Sequence, residues 1–548
     1  MNTKFRTAHF LLPVLLILPT AAAFGSPRNI SISQRAKSVE VYDFIEVTLD
    51  VSAPDAGNCF TDVTLTGEFQ KEQSSPAKVR GFCDSGDGSV YRIRFMPSTP
   101  GKYSFSIVYD QGSFQKKFAG TFEALASHRR GPIRVDKQYP WHFVWEGTGE
   151  HYFFNGTTAY WLMGWKDERI IQSSIERLHR LEINRIRACI SGRTGTQYGE
   201  KAMNTDTWNV WLTPFEAKHT NDLFHPGFNW KRFNIAYWQK YDRMLRFARD
   251  HDMIISLVLD MNDNPVHPDG GSEDERRYIR YAIDRFAAFS NITWDLGDDL
   301  DGFRDDKWTH ETGTLIKSWD PYKHLATSHP MHDIHQDRTS EWFDFTSFQE
   351  WSRDQHRYIL GQRKKQQQLG RIIPQTNEEY GYEDHYPLWA KGPGSETADV
   401  LRRTAWDIYM AGGYQTAGET VRRGTNIWPD SGGGWLNARG DYTMTMFVGY
   451  SRIVDFFTTF EWWKTEPHDE LVNGGNYCLA FSGHLYAIYL PNAGKVHVHL
   501  EPGSYQAKWY SPLTGDWIAI GDAIQGSEWE SPDAPGYGDW ALLITRIS

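Results

Sequence analysis

The chain has 548 residues, 40% of them hydrophobic and 23% charged; this excludes a disordered or membrane-embedded protein and leaves room for about two to four domains. A net charge of −11 lacks the basic stripe that nucleic-acid backbones need. Aromatic residues are dense, with 23 Trp, 27 Tyr and 31 Phe, and flat rings with a polar edge suit hydrophobic cores and the C–H faces of sugars alike.

Residues 1–23 read as a secretory signal: Lys4 and Arg6, an apolar run from Phe10 to Leu18, then Ala21-Ala22-Ala23 as a cleavage site. The run is too short to span a bilayer, and no cysteine follows the small residues to carry a lipid. The mature protein is expected to be secreted or periplasmic, without a membrane partner, where disulfides can form. Residues 24–127 alternate apolar and polar positions in short runs (VEVYDFIEVTLDV, CFTDVTLTGEF, YRIRFMP, GKYSFSIVYD) broken by Gly, Pro, Asp and Ser, the pattern of a small antiparallel β-sandwich of immunoglobulin-like type. Cys59 and Cys83 fall in this stretch and are expected to form a disulfide. Cys189 and Cys478 sit in apolar, strand-like surroundings and read as buried thiols.

Between residues 128 and 466 strands alternate with helices. The strands read as HYFFNGTT, INRIRACI, MIISLVLD, NITWDLGDDL, HLATSHP, FDFTSFQE, RIIPQTNEE and GYQTAGE. Ser173 with Glu176 and Ser272 with Glu275 have capping-box spacing, and Trp238, Tyr241, Leu245 and Ala248 make one helical stripe. Eight strands in this rhythm predict an α/β fold of the (β/α)8 TIM-barrel class. An open doubly wound sheet loses its main support, since no strand leads into G-x-G-x-x-G or a P-loop. Residues 467–548 return to a β-pattern (YCLAFSG, HLYAIYLP, KVHVHL, YQAKWYSP, WALLITRI) and read as a second sandwich.

Chemistry in such a barrel gathers at the C-terminal ends of the strands. The fourth strand runs into Asp298-Asp299 and the seventh into Glu378-Glu379. Carboxyls on strands four and seven face one another across a barrel mouth, as glycosidic cleavage requires: one protonates the leaving oxygen while the other attacks the anomeric carbon or activates water. Asp299 and Glu379 are the predicted catalytic pair, with Glu378 on the opposite face because neighbours alternate along a strand. Asp298 is expected to turn aside from Glu379 and bind sugar or nearby backbone. An EF-hand loop fails at Gly297 and Trp308, and Asp301, Asp305 and Asp306 read as a solvated turn. Arg187, Asp260, His329, Gln349 and Asn377 lie at or near strand ends, where they can bind sugar hydroxyls. Tyr382 is a further substrate contact or, with Glu383, a support for Glu379. Trp351 and Trp428 are sugar-platform candidates in loops, and Trp294 is core. Arg422, Arg423 and Arg439 could meet an acidic glycan but read as loop surface. No motif calls for a cofactor or a metal.

Taken together, YFFNGTTAYWLMGW, INRIRA, WDLGDDL, TSHP, FTSFQ, PQTNEEYGYE and AGGYQTAGE resemble, in order and in key residues, the apiosidase-like glycoside hydrolase barrels. The N-terminal segment resembles the immunoglobulin-like module that often precedes them, and YLPNAGKVHVHL with AKWYSPLTG the β-sandwich that often follows. The resemblance implies an acid/base at Asp299 and a nucleophile at Glu379, a retaining mechanism, and a plant or algal polysaccharide or oligosaccharide as substrate. Two other readings stay open at this stage: a noncatalytic carbohydrate-binding protein on a degenerate barrel, and a polysaccharide lyase.

Overall fold

The computed structural model of the protein describes residues 29–191, 213–220, 222, 225–262, 266–332, 336–383, 396–419, 437–438 and 445–547. The expected signal segment, Trp428, Arg422, Arg423 and Arg439 lie outside these residues.

Seven strands form one parallel sheet in the order Ala326–Thr327, Ile292–Asp295, Ile254–Val258, Arg185–Cys189, Asn155–Thr158, Tyr414–Thr416, Thr376–Asn377. The segment 344–348 closes the circle. Asp344 N donates to Ala326 O (2.9 Å) on one side, and Phe348 N to Thr376 O (2.9 Å) on the other. All eight predicted strands therefore contribute, and the catalytic region is a closed TIM-like barrel. Only the second half of HYFFNGTT enters it, however. His151–Tyr152 instead joins Phe143–Trp145 and Ile133–Val135 in a small antiparallel sheet, whose Phe143 packs on Phe154, Phe345 and Tyr414. Those three residues begin strands one, six and eight, so the small sheet floors the barrel at the end opposite its mouth.

The outer helices bury apolar stripes: the predicted Trp238, Tyr241, Leu245 and Ala248 on Ile235–Arg249, and Tyr278, Ala282 and Phe286 on Glu273–Phe286. Ser272 caps the latter, accepting from Glu275 N (3.1 Å). The other expected capping box is not one. That helix begins at Glu168 with Asp167 as its cap, and Ser173 lies inside it with its hydroxyl turned back on Ile170 O (3.1 Å). An aspartate one residue before the first turn took the role that the later serine's spacing suggested.

The N-terminal region is a two-sheet sandwich of four and five strands. It is locked to the barrel by a buried ionic cluster. Arg94 pairs with Glu46 (2.7 Å) and Asp242 (2.8 Å), Asp242 with Arg285 (2.7 Å), and Arg285 with Asp84 (2.9 Å). The guanidinium of Arg94 also lies over the rings of Phe44, Phe82 and Phe289. Cys59 and Cys83, the predicted disulfide partners, lie together in this sandwich: both are buried and share the Ser85 carbonyl as acceptor, at 3.6 and 3.1 Å. Cys189 and Cys478 are buried thiols.

The C-terminal region is β-rich, as expected, and its strands hydrogen-bond into one six-stranded sheet. Its longest strand, His497–Tyr510, breaks register with Trp517–Glu530 between His499 and Gly503 and again between Tyr505 and Ala507. Val498 and Leu500 before the first break and Tyr505, Ala507 and Trp509 after it all enter one core cluster. Even-numbered residues face inward on one side of the bulge and odd-numbered ones on the other, as an extra residue in the ladder demands. The sheet thus wraps its own core. It docks on the barrel helix Ala398–Met410, where Arg402 binds Asp539 (2.7 Å) and Trp406 stacks on Tyr489.

Candidate active site

Alternation along the second strand sends both Arg185 and Arg187 into the barrel, where each is fully buried. Such interiors are usually filled by branched apolar side chains; this one is ionic. Arg185 pairs with Glu378 and donates to Ser256 Oγ (2.7 Å). Glu378 further accepts from Ser347 Oγ (2.7 Å) and Thr416 Oγ1 (3.2 Å). Burial opposes the charge on Glu378, but Arg185 and Arg187 outweigh it and hold the carboxyl below its ordinary pKa. Glu378 is thereby an interior anion, and the next residue, Glu379, faces the mouth.

One layer higher, Arg187 donates through Nε and Nη2 to Asp295 Oδ2 (3.2 and 3.0 Å), through Nη2 to Asp298 Oδ1 (3.1 Å), and through Nη1 to the Tyr160 hydroxyl (3.1 Å). That hydroxyl lies 2.8 Å from Asp298 Oδ1 and 3.2 Å from Glu379 Oε2, so its proton is shared between the two carboxyls. Gln349 Nε2 donates to Glu379 Oε1 (3.1 Å), and Tyr382 also hydrogen-bonds Glu379. The carboxyl that meets Glu379 in these contacts is Asp298, contrary to the expectation that it turns aside. The cause is the Arg187–Tyr160 pair, which gathers both acids onto one donor set. Asp299, half-buried, follows in the left-handed conformation (φ 52°, ψ 39°). For a residue with a Cβ that conformation costs roughly 1–2 kcal/mol, and such strain concentrates at functional sites.

The titration of these groups follows from burial. Desolvation raises Asp295 to about 7 against the pull of Arg187. It also raises Asp298, with Glu379 adding to the rise and Arg187 and His329 opposing it. Asp260, 1% exposed, is raised to about 7 by burial, with Arg304 3.6 Å away acting the other way. Burial and then Arg187 depress His329 to about 3, so its imidazole is neutral. Because Ser347 gives its proton to the Glu378 anion, it can only accept from His329 Nδ1 (2.8 Å). A neutral ring with its proton on Nδ1 leaves Nε2 a bare acceptor. Nε2 lies 3.7 Å from both Asp298 Oδ1 and Glu379 Oε2 and has no hydrogen-bond partner among the described residues. It is well placed to accept from a substrate hydroxyl.

Asp298, His329 and Glu379 each offer a ligand atom within 4.8 Å of the others. The Arg187 guanidinium already supplies positive charge to that spot, which disfavours a metal cation there.

Several sequence expectations are redirected. Asn377 is fully buried and spends its amide on Glu350 O (2.9 Å) and Gln355 Oε1 (2.8 Å), so it supports the loop after strand six rather than sugar. Glu383 accepts from the backbone of Thr445 (2.8 Å) and Met446 (3.3 Å), capping the helix Met446–Phe457 instead of holding Glu379. Asp301 is no solvated turn residue: it takes Met331 N and His332 Nδ1 (both 2.6 Å). Asp305 caps the helix Asp306–Trp319 through Trp308 N (2.8 Å). Trp351 lies half-buried, edge-on to Tyr382. Tyr160, Asp295 and Ser347 were not singled out from sequence. Tyr160 lies just beyond the first strand, and the strand-end rule that selected Arg187 would have found it.

Three family models match the chain: the apiosidase-like catalytic domain over residues 176–420, a domain of unknown function, DUF5060, over 38–110, and a candidate collagen-binding domain of a collagenase over 468–545. No curated protein sequence matches. Among solved structures, a Bacteroides vulgatus protein described as a candidate glycoside hydrolase superposes with a TM-score of 0.77 at 19% identity, covering 93% of this chain and 100% of its own. A glycoside hydrolase family 5 protein from the same organism gives 0.58 at 17% identity, over 76% of this chain and 94% of that one. The fold is therefore one that glycoside hydrolases share, and its barrel carries an apiosidase-like catalytic domain.

Proposed function

We propose that this chain, with an apiosidase-like barrel between two β-domains, is an exported enzyme that hydrolyses glycosidic bonds in a plant or algal polysaccharide or an oligosaccharide derived from one. Glu379 is the nucleophile and Asp299 the acid/base. Glu379 attacks the anomeric carbon while Asp299 protonates the departing oxygen; Asp299 then takes a proton from the water that releases the sugar from Glu379, giving retention. The observation that carries this reading is the set of donors around Glu379. Tyr160 and Gln349 orient one oxygen each, as a nucleophile needs for in-line attack. A noncatalytic sugar-binding site needs no such oriented carboxylate, and its presence weighs against that alternative.

A second assignment has a specific observation in its favour. Asp298 is raised in pKa and lies beside Glu379, which would suit a general acid. Against it stands confinement: Asp298 is 7% exposed and bonded to both Arg187 and Tyr160, whereas the acid must reach an oxygen on the leaving side of the sugar.

The test is kinetic. On a substrate found by screening plant and algal glycans, Glu379→Gln should abolish turnover. Asp299→Asn should lose about 10²- to 10⁴-fold on natural leaving groups and far less on an aryl glycoside whose leaving group needs no proton. Near wild-type activity in either variant would remove that residue from its role. An unsaturated, ultraviolet-absorbing product would turn the reading to a lyase.

A further inference from the structure

The strand His497–Tyr510 pairs with Trp517–Glu530 so that His499 stands directly opposite Glu528, and His497 lies two residues earlier on the same face. Val498 between them points into the core, so both imidazoles stand on the outer face of the ribbon, at 38% and 54% side-chain exposure. They converge on one carboxylate. His497 Nε2 is 3.3 Å from Glu528 Oε2, and His499 Nδ1 is 2.8 Å from Glu528 Oε1. The three candidate ligand atoms lie within 4.8 Å of one another. The neighbouring acid, Glu530, is engaged by Lys495 (3.2 Å), which leaves Glu528 to the two histidines.

We propose that His497, His499 and Glu528 form a surface site for a divalent transition-metal ion, zinc being the natural occupant. Two imidazoles and a carboxylate are zinc's ordinary oxygen and nitrogen ligands, and three protein donors leave its fourth tetrahedral position to water. Calcium and magnesium prefer all-oxygen sites. The donors need no rearrangement of the backbone, because strand pairing already fixes their spacing. Small rotations of three half-exposed side chains bring them from hydrogen-bond separation onto a common ion.

The site has a structural consequence. The ladder between the two strands is continuous from His497 to His499, stops, and resumes at Gly503. An ion held by His497, His499 and Glu528 would clamp the strands immediately beside that interruption, where backbone bonds are missing. It would hold closed the outer half of the ribbon, on which Val498 and Leu500 depend for their place in the core. The carboxylate comes from 29 residues beyond His499, so H-V-H in the sequence alone does not announce the site.

The experiment uses the full chain without a histidine tag, stripped with chelator and titrated with zinc chloride by calorimetry. One zinc per chain should bind, and the apparent melting temperature should rise with zinc. Glu528→Gln should weaken binding by about 10- to 100-fold, the scale on which even outer partners of a metal affect affinity, and the double variant His497→Asn/His499→Asn should abolish it. Hydrogen exchange at residues 497–500 and 526–530 should slow on zinc addition in the wild type only. Absence of zinc binding in the wild type, or unchanged binding in the double variant, would overturn the assignment. If the double variant folds poorly, Glu528→Gln decides alone: it removes no bulk, and unchanged zinc affinity in it has the same meaning.

Discussion

Replacing Asp298 by asparagine separates the two possible acids at the mouth. Burial and the nearby Glu379 raise the pKa of Asp298, so the group favours its protonated, uncharged form more than an exposed aspartate does. A neutral carboxyl and a carboxamide have nearly the same shape. In the Asp298→Asn variant the amide oxygen can still accept from Tyr160, which lies 2.8 Å from Asp298 Oδ1, and from Arg187, which lies 3.1 Å from it. At most one neutral hydrogen bond is altered, worth ~0.5–1.5 kcal/mol, which translates to about tenfold or less in kcat/KM. Asp298→Asn should therefore stay within about tenfold of wild type, while Asp299→Asn falls by about 10²- to 10⁴-fold. Both variants would be assayed side by side on one natural glycan and one activated aryl glycoside, with circular dichroism to confirm folding. The reverse order, with Asp298→Asn crippled on the natural glycan but spared on the activated one, would refute the argument and make Asp298 the proton donor.

Two further outcomes follow from groups away from the mouth. Asp242, buried between Arg94 and Arg285, is held at about 2, below its ordinary 3.8, because the two guanidiniums outweigh the burial that opposes its charge. A depressed folded-state pKa contributes stability that is complete above 3.8 and is lost as the pH falls toward 2; at ~1.4 kcal/mol per pKa step this is worth ~2 kcal/mol. Asp242→Ala should cost more, ~3–5 kcal/mol, since it strands two buried cations. Urea unfolding of the two proteins at neutral pH and near pH 2.5 should show a large gap in the first condition and a smaller one in the second; equal gaps would mean that the cluster does not anchor the sandwich. For the thiol pair, Cys59 and Cys83 meet at the Ser85 carbonyl, which places them for pairing in an oxidising compartment. Refolding with oxidised glutathione should block both from alkylation until reductant is added, and the bond should stabilise the sandwich by ~2–5 kcal/mol. Two thiols still alkylated after that treatment would rule the pairing out.

The barrel was legible because its signals are local. Each strand is a short apolar run and each helix a stripe such as Trp238, Tyr241, Leu245 and Ala248, and eight repeats leave few alternatives. The position of Glu379, next to an inward-facing Glu378, followed from strand alternation alone. What escaped depends on partners far apart in the chain. Asn377 and Asp301 looked like mouth ligands or solvated turn residues because their acceptors and donors, Gln355 and Met331, are brought to them only by loop packing. The bulge in the C-terminal sheet reverses the inward parity of one strand, and sequence shows the parity change without showing which partner absorbs the extra residue.

The arrangement also answers why a buried strand should run into so many acids. Among the described residues, Asp295, Asp298, Glu378 and Glu379 converge in or above the barrel around two guanidiniums, Arg185 and Arg187. Four carboxylates at this burial cannot all ionise against two cations, because like charges in a low dielectric raise one another's pKa. The environments differ enough to sort the protons. Glu378 sits between both arginines and is pushed down, while Asp295, which shares Arg187 with Asp298, is pushed up to about 7, and Asp298 also rises. Protonation is thus favoured on the fourth-strand aspartates and negative charge on Glu378 of the seventh strand. A strand carrying several aspartates across the barrel from one carrying two glutamates is in this sense a device for polarity across the mouth. It lessens the negative charge beside Glu379, and Asp298, held by Arg187 and Tyr160, shares with Glu379 the hydroxyl that orients both carboxyls.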